Sequence, residues 1–230
     1  MRPLRPLALP LLVAGCAAFG GESYPVVYEQ ACADASCLED FVFTDASKWR
    51  MRAGDHAPAL ELVGKSAYRP PHRSPLSIAL IEGVEVQDFD LDVDLLQTGR
   101  NYGHRDLCLF FGVQSQSRFY YTHLATSPDP NAHNVFIVND APRANLIAPL
   151  AQGVEWGRDV WHHVRVERRV ADGTVKVFWD HGAEPALVAT DRTFGWGRVG
   201  FGSFDDSGLV RNIVLRAPRH RFAEGSPFGR

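Results

Sequence analysis

The sequence predicts an all-β chain whose strands pair antiparallel into a sandwich or barrel, and three observations carry that expectation. Between residues 40 and 217, short runs rich in Val, Phe, Tyr and Thr follow one another with turn residues between them. Several of these runs alternate apolar and polar side chains with a period of two, which gives a strand one apolar face. No segment holds a helical period over three turns, so nothing competes for these runs as helix.

Taken in order, the runs begin with DFVFTD (40–45), ALELVG (59–64) and PLSIALIE (75–82), then DFDLDVDLLQ (88–97) and DLCLFFGVQ (106–114). RFYYTHLA (118–125), HNVFIVN (133–139) and ANLIA (144–148) come next. The last five are WHHVRVERRV (161–170), GTVKVFWD (173–180), PALVATD (185–191), RVGFGSF (198–204) and VRNIVLRA (210–217). In DFDLDVDL, Phe89, Leu91, Val93 and Leu95 share one face, and the four aspartates Asp88, Asp90, Asp92 and Asp94 share the other. Those carboxylates admit three roles: the wet side of a strand, a catalytic pair, or a calcium site. The wet side is favoured. Asp172-Gly173 joins two alternating runs and signals a hairpin, because Gly readily supplies positive φ. RPPHRSP (69–75) is too rich in proline for a ladder and must be a loop or an edge. ATSPDPNAH (125–133) reads as an exposed loop long enough to border a site, and residues 218–230 read as a loosely ordered tail.

The chain of 230 residues is 45% hydrophobic, enough for one good core. Its formal charge of −3 and the lack of a Lys/Arg stripe give no sign of a nucleic-acid partner. The first residues, MRPLRPLALPLLVAGC, place two arginines before a short apolar stretch, the pattern of a secretion signal. Its VAGC ending resembles the bacterial lipobox. That resemblance implies cleavage before Cys16, a lipid on Cys16, and a membrane partner through this N-terminal anchor. Residues 1–15 are then the signal peptide and 16–37 a linker. In lipoproteins of this kind, Ala17 after the cysteine is compatible with outer-membrane sorting. The expected location is therefore the bacterial cell envelope. Outside the cytoplasm, Cys32 and Cys37 in CADASC are placed for a local disulfide. Cys108 reads as a small buried apolar residue, and no Cys/His spacing matches zinc.

Three stretches resemble the concanavalin A-like lectin/glucanase superfamily, particularly its LamG-like domains. They are DFDLDVDL, the hairpin WHHVRVERRVADGTVKVFWD, and the closing GRVGFGSFDDSGLVRNIVL. The resemblance covers about residues 40–217 and implies a two-sheet jelly-roll sandwich as one domain over 38–217. It departs at Val210-Arg211-Asn212, where many relatives write Phe-Asp-Asn. DFDLDVDL also looks like the Glu-x-Asp-x-Glu signature of the jelly-roll glucanases. Both glutamates are aspartate here, which would draw the acid and nucleophile back from the sugar.

Function is sought between residues 99 and 143, where Arg, Tyr, His and Asn are concentrated on consecutive strands. His104, Tyr121 and His123 are the candidate acid/base groups, since histidine titrates near neutrality and tyrosine can return a proton. Tyr102, Arg105, Asp106, Tyr120, His133, Asn134, Asn139 and Arg143 are the candidate ligand-binding groups, with Arg105 or Arg143 able to neutralise a uronate carboxylate. The expected function is binding of a polysaccharide or glycan on the concave face of the jelly roll. A polysaccharide lyase or glycoside hydrolase is the alternative, and a structural or protein-binding envelope lipoprotein is a third reading. No cofactor is assigned, no metal ligand is named, and calcium is left open.

Overall fold

The computed structural model describes residues 23–52, 58–148 and 150–228. The leader and Cys16 lie outside the described residues. The strands are β1 (Val26–Gln30), β2 (Phe41–Phe43), β3 (Trp49–Arg52), β4 (Ala59–Leu62), β5 (Ser77–Ile81) and β6 (Glu85–Val86). They continue with β7 (Phe89–Gln97), β8 (Leu107–Ser115), β9 (Arg118–Leu124), β10 (Asn134–Asn139), β11 (Ala144–Asn145) and β12 (Trp161–Arg169). The last are β13 (Thr174–Trp179), β14 (Leu187–Thr190), β15 (Arg198–Ser203), β16 (Gly208–Arg216) and β17 (His220–Arg221).

Every pairing between these strands is antiparallel. One sheet runs β14-β13-β12-β7-β16-β4-β3, with β1 also joined to β16. The other runs β11-β10-β9-β8-β15-β5-β2, and β17 with β6 makes a small separate ribbon. Hairpins supply the local neighbours, while β7 and β15 sit between strands distant in sequence, as a jelly-roll sandwich requires. The strands missing from the sequence reading are β1, β3, β6 and β17. Two of them are two residues long. The first, β1, lies in the segment expected to be linker, and it is held there by its ladder with β16.

Between the sheets lies the main core. Phe89, Leu91, Val93 and Leu95 of β7 face inward and join Leu109 and Phe111 of β8, Tyr120 of β9 and Phe201 of β15. Full burial of each such side chain stabilises the fold by roughly 1.5–3 kcal/mol. The aspartates of β7 point outward and meet cations of the flanking strands. Asp90 pairs with Arg169 at 2.8 Å, Asp92 with Arg216 at 2.6 Å, and Asp94 with His163 at 3.1 Å. Asn212 adds a hydrogen bond to Asp94 at 2.7 Å. Asp92 and Asp94 keep partial exposure on this outer side of the strand, Asp90 is covered by its partners, and all three are tied into a cross-strand polar ladder.

The seven-stranded sheet is apolar on its outer face as well. Ile78, Leu80, Cys108, Phe110, Phe119, Tyr121, Phe136 and Val138 form a second cluster there, packed against Tyr68, Phe204 and Phe228. The sequence shows why: LCLFF and RFYYTHL carry apolar or ring side chains on both parities, as a strand buried on both faces must. Covering this face engages the chain end. Where the sequence suggests a loose tail, residues 218–228 instead pair His220–Arg221 with β6 and seat Phe228 on Tyr68, with ring centroids 5.8 Å apart. Cys32 and Cys37 are joined in a disulfide around a short 3-10 turn, and Cys108 is free and buried.

Candidate functional site

Along β9 the side chains alternate, so Phe119, Tyr121 and His123 face outward while Tyr120 and Leu124 enter the core. In register with His123 stand Cys108 on β8 and Asn134 on β10. Over this end of the outer face opens a cavity of about 500 Å³. Asp106 and His123 lie at its floor, with Tyr102, His104, Asn131, Arg143 and Phe204 around them. The segment that carries Lys65, Arg69 and Arg73 forms a wall.

The floor is a closed network. Asp106 is 1% exposed and accepts from the Ser203 hydroxyl at 2.6 Å and the Cys108 thiol at 2.8 Å. Its own backbone N–H donates to Asp206 Oδ2 at 2.9 Å, and the Tyr102 hydroxyl donates to the same oxygen at 2.8 Å. His123 Nδ1 accepts the backbone N–H of His133 at 3.3 Å. In the neutral ring Nε2 then carries the proton, and it faces Asp106 Oδ2 at 3.4 Å. Burial drives both members towards their neutral forms. Asp106 is pushed up to about 7, chiefly by burial and against the lowering effect of its donors Cys108 and Ser203. His123 is drawn down to about 3, by burial first and then by the charge of Arg143. Burial therefore disfavours an ion pair at this contact.

Arg143 is fixed from all sides. Its Nη1 donates to the Tyr121 hydroxyl at 2.7 Å, and Nη2 donates to Asn131 O at 3.1 Å and Oδ1 at 3.2 Å. Its guanidinium lies over the Phe136 ring at 4.7 Å and the Phe204 ring at 5.0 Å. Tyr121 is fully buried, and that burial raises its hydroxyl beyond the ordinary tyrosine range even with Arg143 beside it. His104 stands half-exposed at the rim, its Nε2 3.0 Å from Asp129 of the 125–133 loop.

The structure thus gathers Tyr102, His104, Asp106, Tyr121, His123 and Arg143 at one place, and separates the other candidates from it. Tyr120 points into the core, stacked on Phe111 at 5.1 Å, with its hydroxyl bonded to Asp191. Arg105 turns away and donates to Gly157 O, in a different surface depression. Asn134 is buried; its amide holds the chain at Leu146 and Ile147 through three hydrogen bonds. Asn139 sits at the far end of β10, bonded to Arg118 at 3.0 Å. His133 is fully buried behind the floor, its Nδ1 accepting from Ala125 N–H at 3.3 Å. For Tyr120 the reason is the period of two, which sends neighbours on a strand to opposite faces. Asn134 and His133 make local hydrogen bonds that no pattern announces.

The reading from sequence missed Lys65, Arg69, Arg73 and Phe204. RPPHRSP announces a loop but not what it covers, and SFDDSG reads first as a turn. Among the described residues no group of three or more His, Cys, Asp or Glu is arranged to hold a metal ion.

No protein-family model matches the chain, and no curated protein matches it in sequence. Solved structures do match in fold. A carbohydrate-binding module, CBM66 from Bacillus subtilis, aligns at a TM-score of 0.55 and 13% identity, over 77% of this chain and 96% of that one. A Bacillus subtilis protein of unknown function with a galectin-like fold aligns at 0.56 and 11%, over 87% and 98%. Lectin UEA-II, complexed with galactose, aligns at 0.52 and 12%, over 84% and 99%. Identities this low speak for the fold alone. The chain is an all-β antiparallel jelly-roll sandwich, built as lectins and carbohydrate-binding modules are.

Proposed function

We propose that the protein binds carbohydrate in the cavity over the outer face of the seven-stranded sheet. One observation carries this reading. The cavity presents rings and hydrogen-bonding groups at its surface, while two of the three acid/base candidates, Tyr121 and His123, are buried beneath it and only His104 stands at the rim. Tyr102 and Phe204 line it with rings, and His104, Asn131 and Arg143 line it with polar side chains, the mixture that sugars use. Tyr121 is closed off and already bonded to Arg143, and His123 is buried with its Nδ1 already accepting a backbone N–H. That favours binding over a lyase or hydrolase mechanism. The fold neighbours that are a carbohydrate-binding module and a lectin complexed with galactose support the same reading.

Migration through gels containing dissolved polysaccharides tests this. The protein is expected to be retarded by at least one of them, with no new reducing ends and no absorbance gain near 235 nm. Tyr102→Ala combined with His104→Ala should weaken retardation by about tenfold, the scale of losing one stacked ring and one polar contact. Product formation, or retardation unchanged in the double variant, would count against a binding site here.

The leader of residues 1–16 supports a second part of the proposal, that Cys16 carries a lipid and holds the protein in the cell envelope. Fractionation of cells checks it. Wild-type protein should sediment with membranes, and Cys16→Ser should leave the membrane fraction almost entirely, since one lipid group supplies the anchor. A Cys16→Ser protein that still sediments would refute the anchor.

A further inference from the structure

Charge is distributed unevenly on this molecule. The chain as a whole is acidic, at −3. On the outer face of the eight-stranded sheet, the carboxylates of Asp90, Asp92 and Asp94 each hold an arginine or histidine partner. The cavity is the opposite case. Lys65, Arg69 and Arg73 are exposed on its wall and Arg143 is fixed at its floor. Among the described residues none of these four has a carboxylate within 4.0 Å. The acids that do reach the cavity are few. Asp205 is exposed on the rim, and Asp106 lies buried under the floor.

Cations gathered around a concave site repel one another and raise the local concentration of anions. Two of them, Arg143 and Arg69, are also held by contacts that no carboxylate supplies. Arg143 is clamped between two rings and three acceptors, and Arg69 Nη1 is anchored on the carbonyls of Ala67 and Tyr68 at 2.9 and 3.0 Å. A neutral sugar makes no use of these cations, whereas a carboxylate or sulfate on a sugar ring compensates them.

Resting on the carbohydrate reading above, we propose that the saccharide bound in this cavity is anionic. Its acidic groups face Arg143 and the wall of Lys65, Arg69 and Arg73. The test uses matched polymers that differ only in charge: polygalacturonate against its carboxyl-reduced form, and dextran sulfate against dextran. Polyglutamate serves as a polyanion without sugar. Affinities are measured at about 0.1 M salt, where exposed charges still act over about 10 Å.

The charged member of at least one pair should bind about tenfold or more tightly than its neutral partner, and more weakly as salt rises. The exposed triple variant Lys65→Gln/Arg69→Gln/Arg73→Gln should lose about tenfold of that affinity, from about twofold for each of the three charges. The arm that responds, carboxylate or sulfate, identifies the acidic group. Equal binding of the neutral polymers overturns the anionic assignment and leaves the carbohydrate reading standing. Binding of no saccharide at all removes both. Binding of acidic polymers by wild type and triple variant alike, or of polyglutamate as tightly as any saccharide, also overturns the proposal.

Discussion

Replacing Arg168 by leucine is expected to destabilise the protein by about 3–5 kcal/mol, the scale of leaving two or three buried carbonyls without donors. Arg168 is 1% exposed, on the core-facing side of β12. Its Nη1 donates to Gly173 O at 2.6 Å, and Nη2 donates to Asp191 O at 2.8 Å and Phe194 O at 3.2 Å. Its guanidinium lies over the Tyr120 ring at 5.3 Å. One side chain thus ties the β12–β13 turn to the segment after β14 and to the other sheet. Leucine fills the volume but leaves several carbonyls without donors, each costing about 1–3 kcal/mol. Urea denaturation reads the result as a lower midpoint with an unchanged slope. A loss below about 1 kcal/mol would show that these carbonyls find other partners.

The second large effect is a pH dependence hidden in the wild-type protein. Asp106 is raised from 3.8 to about 7 on folding, so between those values the folded state keeps a proton that the unfolded chain has released. Stability from this group therefore falls as pH rises across that window. His123 is lowered from 6.5 to about 3, so the folded state lacks a proton that the unfolded chain holds. Stability from this group falls as pH drops through that window. From about pH 4 to about pH 6.5 the two slopes are equal and opposite, because folded and unfolded states each hold one proton on the pair.

His123→Gln leaves the Asp106 slope uncovered. Relative to wild type, its stability should decline by about 1.4 kcal/mol per pH unit as pH rises through this window. Asp106→Asn should show the mirror slope, gaining on wild type by a similar amount per unit as pH rises. Asp206, also raised by burial, lies against Asp106 and responds to Asp106→Asn but not directly to His123→Gln, so the His123→Gln slope is the primary reading. Urea midpoints at about pH 4.5, 5.5 and 6.5 measure both slopes. Parallel pH profiles in the three proteins would mean that His123 and Asp106 do not share a proton in this way. The same buried pair explains why His123, attractive as an acid/base residue in the sequence, is a floor group in the fold.

DFDLDVDL shows what a strand pattern can and cannot carry. Its alternation assigned Phe89, Leu91, Val93 and Leu95 to the core and the aspartates to the wet side, because side-chain direction is local geometry. The partners of those aspartates are another matter. Arg169 and Arg216 come from β12 and β16, and only register brings them across. RFYYTHLA behaves likewise. The sequence shows rings on both parities, but it does not say which parity meets the sandwich core and which meets a loop.

By itself the sequence determined the all-β class, the approximate positions of the longer strands, the Asp172-Gly173 hairpin and the stretch in which to look for a site. All of these rest on spacing along one strand or on the chemistry of adjacent residues. The tertiary structure alone decided that Arg105, Tyr120, Asn134 and Asn139 leave the site. It also brought in Lys65, Arg69, Arg73 and Phe204, and it locked Asp106 to His123. Those outcomes depend on which loops fold over which face of the second sheet. That choice is made by burial and long-range pairing between segments far apart in sequence, which no local periodicity encodes.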